Sequence, residues 1–278
     1  MGGASTAAGL GPGFLSRRDV EQSLVFDEVA DLYDRARPGY PRSFVDEVCR
    51  RVDLKRGDRI LEVGCGPGTA TQGFAGRGYA MLCLEPGPQL AERARTRMVH
   101  DPNVTVATSS FEAWPAPAAA RGSFALVLAA QSFHWVDPRV GFPKAADLLR
   151  PRGSLAIIAN LPQRGESELS DAIDAVYAQF VDAFAAHAQA SGRAVRARLD
   201  ELLAASGRFG DVEIVSEIWT AHYDTAGYLD LMRTQSDHRM LPEDVRGELL
   251  AQIAEAIDAH GGSIAVEYEA RLLLAQRL

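Results

Sequence analysis

The stretch that most constrains the fold of this chain is DRILEVGCGPGTAT, residues 58–71. Its apolar residues Ile60, Leu61 and Val63 predict a buried strand of a parallel sheet. Three glycines follow at alternate positions, and glycine allows both a tight turn and the close approach of a ligand to the backbone. A helix is predicted directly after the turn. A strand, a glycine turn and a helix in this order are typical of a doubly wound sheet, which binds nucleotide-like cofactors at its strand ends.

The spacing of the glycines separates this turn from a dinucleotide site. A dinucleotide fingerprint has the pattern G-x-G-x-x-G, whereas Gly64, Gly66 and Gly68 alternate here with Cys65 and Pro67. Because proline has no N–H to donate, the turn is not expected to cradle a phosphate group.

Two acidic residues accompany the turn. Glu62 lies inside the predicted strand, and Glu85 ends the next predicted strand, Ala80–Glu85, about twenty residues beyond the turn. A carboxylate at that strand end can accept hydrogen bonds from both hydroxyls of a ribose. The alternative is that Glu85 is a solvated charge at the end of a strand.

Composition excludes some classes of function. The chain has 278 residues and a net charge of −8, which argues against a dedicated nucleic-acid binder, because such proteins present a basic face. Its 3 cysteines predict neither a disulfide framework nor a metal site. No apolar run approaches the length that spans a bilayer, and the first residues do not resemble a signal peptide. A cytoplasmic protein is expected.

A continuous apolar run at residues 123–130 predicts the central fourth strand, and QSFHWVDP follows it. Ligands of open α/β sheets bind outside the carboxyl ends of the strands, which is where this motif places Gln131, Ser132 and His134. His134 has three possible roles: a general base, a hydrogen-bond donor to a substrate, or a packing residue held by Trp135.

The glycine turn, the RPGYP segment at residues 37–41 and the FHW triplet after the fourth strand occur together. In this combination the chain resembles the class I, Rossmann-like methyltransferases that use S-adenosylmethionine (SAM). More specifically, it is similar to a small-molecule subfamily, the trans-aconitate methyltransferase-like or type 11 methyltransferases. The resemblance implies an α/β fold: a three-layer, Rossmann-like, seven-stranded sheet with an antiparallel last strand and a helical cap. The cap is expected from residues 23–42, 163–206 and 221–262 of a domain covering 23–278, after a disordered tail at 1–22.

The resemblance also implies residues that contact SAM or its product, S-adenosylhomocysteine. Tyr33 and Arg37 match contacts of the methionine part, although both could instead pin the RPGYP turn. Ser110 and Glu112 are alternatives for binding the adenine amino group, and Phe111 could wall the base or belong to the core. The full predicted set is Tyr33, Arg37, Glu62, Gly64, Cys65, Gly66, Gly68, Thr69, Glu85, Pro86, Ser110, Phe111, Glu112, Gln131 and Ser132.

Substrate contacts are expected from His134, Trp135 and the insertion at 221–262, since inserts on a rigid scaffold carry specificity. The polar candidates of the insertion are Tyr223, Tyr228, Arg233, Ser236 and His238. Arg233 and Ser236 rank first because the i, i+3 spacing puts both on one side of a helix; Tyr223 is retained with them as a predicted contact.

The reaction implied is methyl transfer from SAM to a small molecule. O-methylation, including that of a carboxylate, is favoured over N- or C-methylation. An RNA methyltransferase and a non-catalytic SAM-binding module are the rival classes. No metal, nucleic-acid or membrane partner is expected, and the chain is predicted to be a monomer or a homodimer.

Overall fold

Seven strands form one mixed sheet. They are β1 (Arg59–Val63), β2 (Ala80–Glu85), β3 (Val104–Thr108), β4 (Phe124–Ala130), β5 (Leu149–Pro162), β6 (Glu213–Asp224) and β7 (Ser263–Gln276). Their spatial order is β3-β2-β1-β4-β5-β7-β6. The pairings among β1 to β5 are parallel, and β7 pairs antiparallel with both β5 and β6. The predicted seven-stranded sheet with an antiparallel last strand is confirmed.

The computed structural model describes residue 27 and residues 30–187 and 198–278. Its α-helices are α1 (Ala30–Ala36), α2 (Arg42–Val52), α3 (Thr71–Phe74), α4 (Pro88–Arg97), α5 (Pro138–Leu148), α6 (Glu168–Gln179), α7 (Val181–His187), α8 (Leu199–Ala205), α9 (Thr225–Arg233), α10 (Ser236–Arg239) and α11 (Glu243–Ala259). The tail predicted at 1–22 lies outside the described residues. Within the described ranges, no helix has the length and apolar character needed to cross a bilayer.

Helices cover both faces of the sheet because the central strands are apolar on both faces. Side chains alternate along β4, so Leu126 packs with Phe74 of α3 on one face, whereas Val127 packs with Phe142 of α5 on the other. All four are at most 1% exposed. Strands that are buried on both faces are characteristic of parallel sheets covered by helices, which gives the three layers.

The cap is the group of helices α6, α9, α10 and α11, which has a hydrophobic core of its own. Ile173 and Val176 of α6 pack there with Leu249 and Ile253 of α11. The structure differs from the predicted cap at two edges. Residues 221–224 belong to β6, and α8 packs against the sheet through the fully buried Leu203. Both differences arise from tertiary contacts that the local sequence pattern does not reveal.

Asn160 connects the sheet to the RPGYP turn. It lies near the end of β5 and is buried, and its Nδ2 donates to the carbonyl oxygen of Gly39 at 2.8 Å. Its Oδ1 accepts from Nε1 of Trp219 on β6 at 3.2 Å. One amide side chain therefore holds the turn, β5 and β6 together.

We predict that Asn160→Ala lowers the free energy of unfolding by about 2–3 kcal/mol, because it leaves polar groups on both partners without a bond. Hydrogen exchange at Gly39 and Tyr40 should become faster. The matched control is Asn103→Ala, an exposed site where a change below about 0.5 kcal/mol is expected. Unchanged exchange at the turn in a destabilised Asn160→Ala protein would show that other contacts hold the turn.

Candidate active site

The glycine turn after β1 is built on left-handed backbone. Gly64, Gly66 and Gly68 have φ angles of +64°, +56° and +87°. A Cβ on Gly64 would lie 2.6 Å from Cβ of Ser132, so this position requires glycine for space as well as for conformation. A Cβ on Gly66 would meet no atom within 4 Å, so the turn is open on that side. The turn is therefore closed towards β4 and open towards the space in front of the sheet.

Glu85 is fixed at the end of β2, where the sequence predicts it. It is 6% exposed. Oε2 accepts from the backbone N–H of Gly66 at 2.8 Å, and Oε1 accepts from that of Gly87 at 2.9 Å. Burial raises the pKa of Glu85 to about 7, and the two N–H donors oppose that rise. Asp27 also contributes to the rise; its own Oδ1 accepts from the N–H of Leu90 at 2.9 Å.

Glu62 is enclosed in the interior next to the glycine turn. It is fully buried, and its Oε2 accepts from Oγ1 of Thr71 at 2.7 Å. Its Oε1 has no hydrogen-bond partner among the described residues. Burial raises the pKa of Glu62 to about 7, and the bond from Thr71 opposes that rise. The geometry makes Glu62 a support of the turn.

A cavity of ≈ 400 Å³ separates the glycine turn from the cap. Seven of the predicted cofactor contacts line it: Tyr33, Arg37, Gly64, Cys65, Gly66, Thr69 and Gln131. The cap side contributes Tyr177, Tyr228, Leu231, Met232, Gln235, Asp237 and His238. The structure thus brings the turn, the RPGYP segment and the cap around one space.

Arg37 faces the cavity and also anchors the RPGYP segment. It lines the cavity, and its guanidinium carbon lies 4.9 Å from the ring centroid of Tyr33. Nε donates to Oγ1 of Thr234 at 2.9 Å, and Nη2 donates to the carbonyl oxygen of Thr234 at 2.7 Å. Arg37 therefore pins the RPGYP segment to the end of α9 while it faces the cavity.

Gln131, directly after β4, is both strained and incompletely bonded. Its φ is +57°, a region that a residue with a side chain rarely adopts. Nε2 donates to the carbonyl oxygen of Asn160 at 2.9 Å, whereas the buried Oε1 has no partner among the described residues. Backbone strain of this kind clusters at functional sites. Gln131 lines the cavity, so its free acceptor is available to a ligand there.

Several predicted contacts do not line this cavity. For the cofactor these are Glu62, Gly68, Glu85, Pro86, Ser110, Phe111, Glu112 and Ser132, and for the substrate His134, Trp135, Tyr223, Arg233 and Ser236. His134 is 4% exposed, and its ring centroid lies 4.8 Å from that of Trp135, as in the packing alternative. Phe111 is a core residue at 2% exposure, and Oε1 of Glu112 accepts from the N–H of Asp137 at 3.1 Å.

The prediction that Arg233 and Ser236 share one face of a helix is wrong. Helix α9 ends at Arg233, and Ser236 begins α10, because the chain turns at the fully buried Thr234. Arg233 pairs with Asp230 at 2.8 Å and lines a separate cavity of ≈ 480 Å³. Tyr223 does not line the cavity at the glycine turn, but its hydroxyl lies 3.4 Å from that of Tyr268, which does.

A polar network in the cap includes His238. His238 is 5% exposed, and its Nε2 lies 2.8 Å from the hydroxyl of Tyr177. Its Nδ1 lies 2.9 Å from Oδ1 of Asp237. The sequence indicates His238 as one of five polar candidates, but nothing in the local pattern relates it to Tyr177, 61 positions away. Among the residues that the structure describes, no cluster of His, Cys, Asp and Glu is arranged to hold a metal ion.

The raised pKa of Glu62 predicts a pH effect on stability. The folded protein keeps this carboxyl protonated up to about pH 7, whereas the ordinary pKa is 4.5. The stability contributed by the neutral acid is therefore present below pH 4.5 and is lost as the pH rises through about 7. Glutamine cannot ionise, so the free energy of unfolding of Glu62→Gln relative to wild type should rise by roughly 2–3 kcal/mol between about pH 5 and about pH 8.

Urea unfolding at the two pH values measures this difference. Glu92→Gln, on the exposed side of α4, is the control and should show no such rise. A constant difference between Glu62→Gln and wild type at both pH values would contradict burial of a neutral acid at this site.

Comparison with known proteins agrees with this architecture. Residues 60–153 match the family model of the methyltransferase domain. The chain is 32% identical over 145 residues to an uncharacterized methyltransferase of Mycobacterium tuberculosis, covering 52% of this chain and 55% of that protein. It is 26% identical over 147 residues to the demethylmenaquinone methyltransferase of Clavibacter sepedonicus, covering 51% and 59%. The chain thus spans a little over half the length of these relatives.

Solved structures extend the likeness to most of the chain. A putative type II methyltransferase from Anaeromyxobacter dehalogenans superposes with a TM-score of 0.65 at 22% identity, covering 86% of this chain and 97% of that one. Phosphoethanolamine N-methyltransferase 2 of Haemonchus contortus, in complex with phosphomonomethylethanolamine and S-adenosylhomocysteine, gives a TM-score of 0.56 at 15% identity, covering 94% and 59%. With its sheet order and its antiparallel last strand, this chain has the Rossmann-like methyltransferase fold.

Proposed function

We propose that this chain catalyses methyl transfer from SAM to a small-molecule acceptor and releases S-adenosylhomocysteine. The observation that carries the proposal is the cavity between the glycine turn and the cap. One end of the cavity is a backbone cradle that only glycine can form, and the other end is lined by side chains of the cap. Such a space suits a cofactor next to an enclosed acceptor.

The residues present fit SAM. The open side of Gly66 leaves room for a ligand close to the backbone, and Oε1 of Gln131 offers a buried acceptor without a partner among the described residues. Arg37 and Tyr33 would hold the methionine part. Glu85 would accept the ribose hydroxyls, because each carboxylate oxygen that already accepts one N–H retains acceptor capacity.

The loop after β3 would border the adenine. The side chain of Ser110 is bonded within the loop, since its Oγ accepts from the backbone N–H of Ala113 at 3.1 Å. Phe111 is held in the core, and Glu112 accepts a hydrogen bond from the N–H of Asp137. Three further predicted residues would support the lining residues without lining the cavity themselves: Gly68, Pro86 and Ser132.

SAM supplies a methyl group on a sulfonium, which is already activated, so transfer depends mainly on positioning and on excluding water. The cap of this chain would provide both the positioning of the acceptor and the exclusion of water. Arg37 fixes the RPGYP segment to α9, and Asn160 fixes the same segment to β5. These bonds place a wall over the carboxyl ends of the strands, where the acceptor has to lie in line with the methyl group.

We favour oxygen as the acceptor atom over nitrogen and carbon. The observation that supports a carboxylate acceptor is Arg37, a cation in the cavity lining. Two of its nitrogens already donate to Thr234, however, and the methionine carboxylate would compete for the third. An RNA acceptor is disfavoured by the net charge of −8 and by the size of the cavity, ≈ 400 Å³.

Isothermal titration calorimetry tests cofactor binding. It is done at about pH 8, because Glu85, with a pKa of about 7, is mostly ionised there. Wild type should bind S-adenosylhomocysteine, and Glu85→Ala should bind it at least about tenfold more weakly, since losing a charged acceptor costs about 1.5–3 kcal/mol. Glu92→Ala, a change of the same type on the exposed side of α4, should bind like wild type. Failure of wild type to bind S-adenosylhomocysteine, or a preference for NAD, would refute the proposal.

A further inference from the structure

Three cap residues that line the cavity form one hydrogen-bonded chain: Asp237, His238 and Tyr177. The two residues of α10 provide the acid and the imidazole, and α6 provides the phenol. The imidazole is 5% exposed and lies edge-on to the rings of Tyr177 and Phe184, at centroid distances of 5.7 and 5.3 Å. The ring is therefore held in one position by packing on two sides and by hydrogen bonds at both nitrogens.

The network has a direction, because an ionised carboxylate can only accept hydrogen bonds. Oδ1 of Asp237 accepts from the backbone N–H of His238 and lies 2.9 Å from Nδ1, so Nδ1 of the imidazole carries the proton. In neutral imidazole the other nitrogen is then an acceptor. The hydroxyl of Tyr177 consequently donates to Nε2 at 2.8 Å, in preference to the more distant sulfur of Met232 at 3.4 Å.

This direction leaves the oxygen of Tyr177 as an acceptor on the cavity wall. Burial raises the pKa of Tyr177 well above its ordinary value, with smaller contributions from Tyr228 and Asp237. Tyr177 therefore stays a neutral phenol, which can receive one proton only by passing its own to His238. Besides Asp237, the described lining of the cavity contains the charged side chain of Arg37, which donates to Thr234 and not to this network.

We propose that Tyr177 and His238 form a proton relay for a neutral hydroxyl acceptor, so that the substrate class is a phenol or an alcohol and not a carboxylate. This inference rests on the proposed methyl transfer. A carboxylate acceptor is already ionised at neutral pH and has no proton to give, so it would leave the oxygen of Tyr177 without a donor. A hydroxyl acceptor supplies that donor.

The step balances in atoms and charge. The acceptor hydroxyl donates to the oxygen of Tyr177, which takes up the proton as the acceptor oxygen forms its bond to the methyl carbon of the sulfonium donor. The bond between that carbon and sulfur breaks, and its electron pair stays on sulfur. Tyr177 passes its original proton to Nε2 of His238, and Asp237 stabilises the resulting imidazolium. The products are a methyl ether, a thioether and one proton, which leaves later to water.

The shape of the cavity favours an aromatic acceptor. Five tyrosines line it: Tyr33, Tyr40, Tyr177, Tyr228 and Tyr268. Leu231 and Met232 of α9 add apolar surface. Aromatic side chains pack well against an aromatic ring, and these two residues exclude water from it. A phenol would therefore place its ring among these side chains and its hydroxyl at Tyr177.

The first test needs no substrate. ¹⁵N NMR of the imidazole nitrogens in the full chain should show His238 with Nδ1 protonated and Nε2 accepting a hydrogen bond; the signals are assigned by their loss in His238→Gln. Tyr177→Phe should shift the Nε2 signal to that of an unbonded nitrogen. A proton on Nε2 in wild type, or an unchanged Nε2 signal in Tyr177→Phe, would overturn the relay.

The second test compares two probes of matched shape, 4-methylphenol and 4-methylbenzoate, by calorimetry on the protein saturated with S-adenosylhomocysteine. We expect 4-methylphenol to bind more tightly and Tyr177→Phe to weaken it about tenfold, with little effect on 4-methylbenzoate. Tyr79→Phe, at a buried tyrosine outside the cavity, is the matched control and should bind like wild type. Tighter binding of 4-methylbenzoate, no binding of 4-methylphenol, or an equal loss of both in Tyr177→Phe would overturn the inference.

The two proposals fail in different ways. If wild type does not bind S-adenosylhomocysteine, the methyl-transfer proposal fails. If it binds but the imidazole signals or the probe preference are the reverse of those expected, only the relay fails. Thermal melting of Tyr177→Phe verifies folding; should that variant not fold, the ¹⁵N measurement on wild type still decides the direction of the network.

Discussion

The left-handed backbone of the glycine turn is the constraint on which the site depends. At Gly64 the chain passes so close to Ser132 that no side chain fits, and this contact brings the ends of β1 and β4 together. Two residues later the N–H of Gly66 donates to Glu85, which adds the end of β2 to the same place. Three strand ends thus converge around a turn whose alternate residues are glycines without side chains, and the space beside Gly66 remains open.

Two buried carboxyl groups support this turn, and each is stabilised differently. Glu85 accepts two backbone N–H groups, whereas Glu62 has one hydroxyl donor and an oxygen without a partner among the described residues. Burial raises the pKa of both to about 7. An apolar residue at either position would avoid the desolvation cost, but it could not fix Thr71 at the start of α3 or the N–H of Gly66. The acids therefore give the turn a defined position at some cost in stability.

The sequence predicts what depends on local pattern. The glycine turn, the position of Glu85 at the end of β2 and the antiparallel last strand follow from local spacing or family resemblance. Contacts between distant segments do not. Periodicity cannot reveal that Asn160 binds the carbonyl of Gly39, or that Thr234 is buried and breaks the helix between Arg233 and Ser236. His134 lies at a strand end, where a histidine attracts a functional interpretation; its ring packs against Trp135, and a role in the reaction stays a prediction.

Helix α6 explains how the cap comes to offer a phenol to the cavity. Ile173, Val176 and Phe180 recur at helical spacing and are buried in the core of the cap. Tyr177 lies at the edge of this apolar stripe, where the core meets the cavity, so its ring is buried while its hydroxyl is not satisfied by the helix. A buried hydroxyl without a partner would cost about 1–3 kcal/mol, and His238 removes that cost from across the cap. The same bond that stabilises the cap consequently sets which lone pair Tyr177 presents to a ligand, so packing and chemistry are fixed by one interaction.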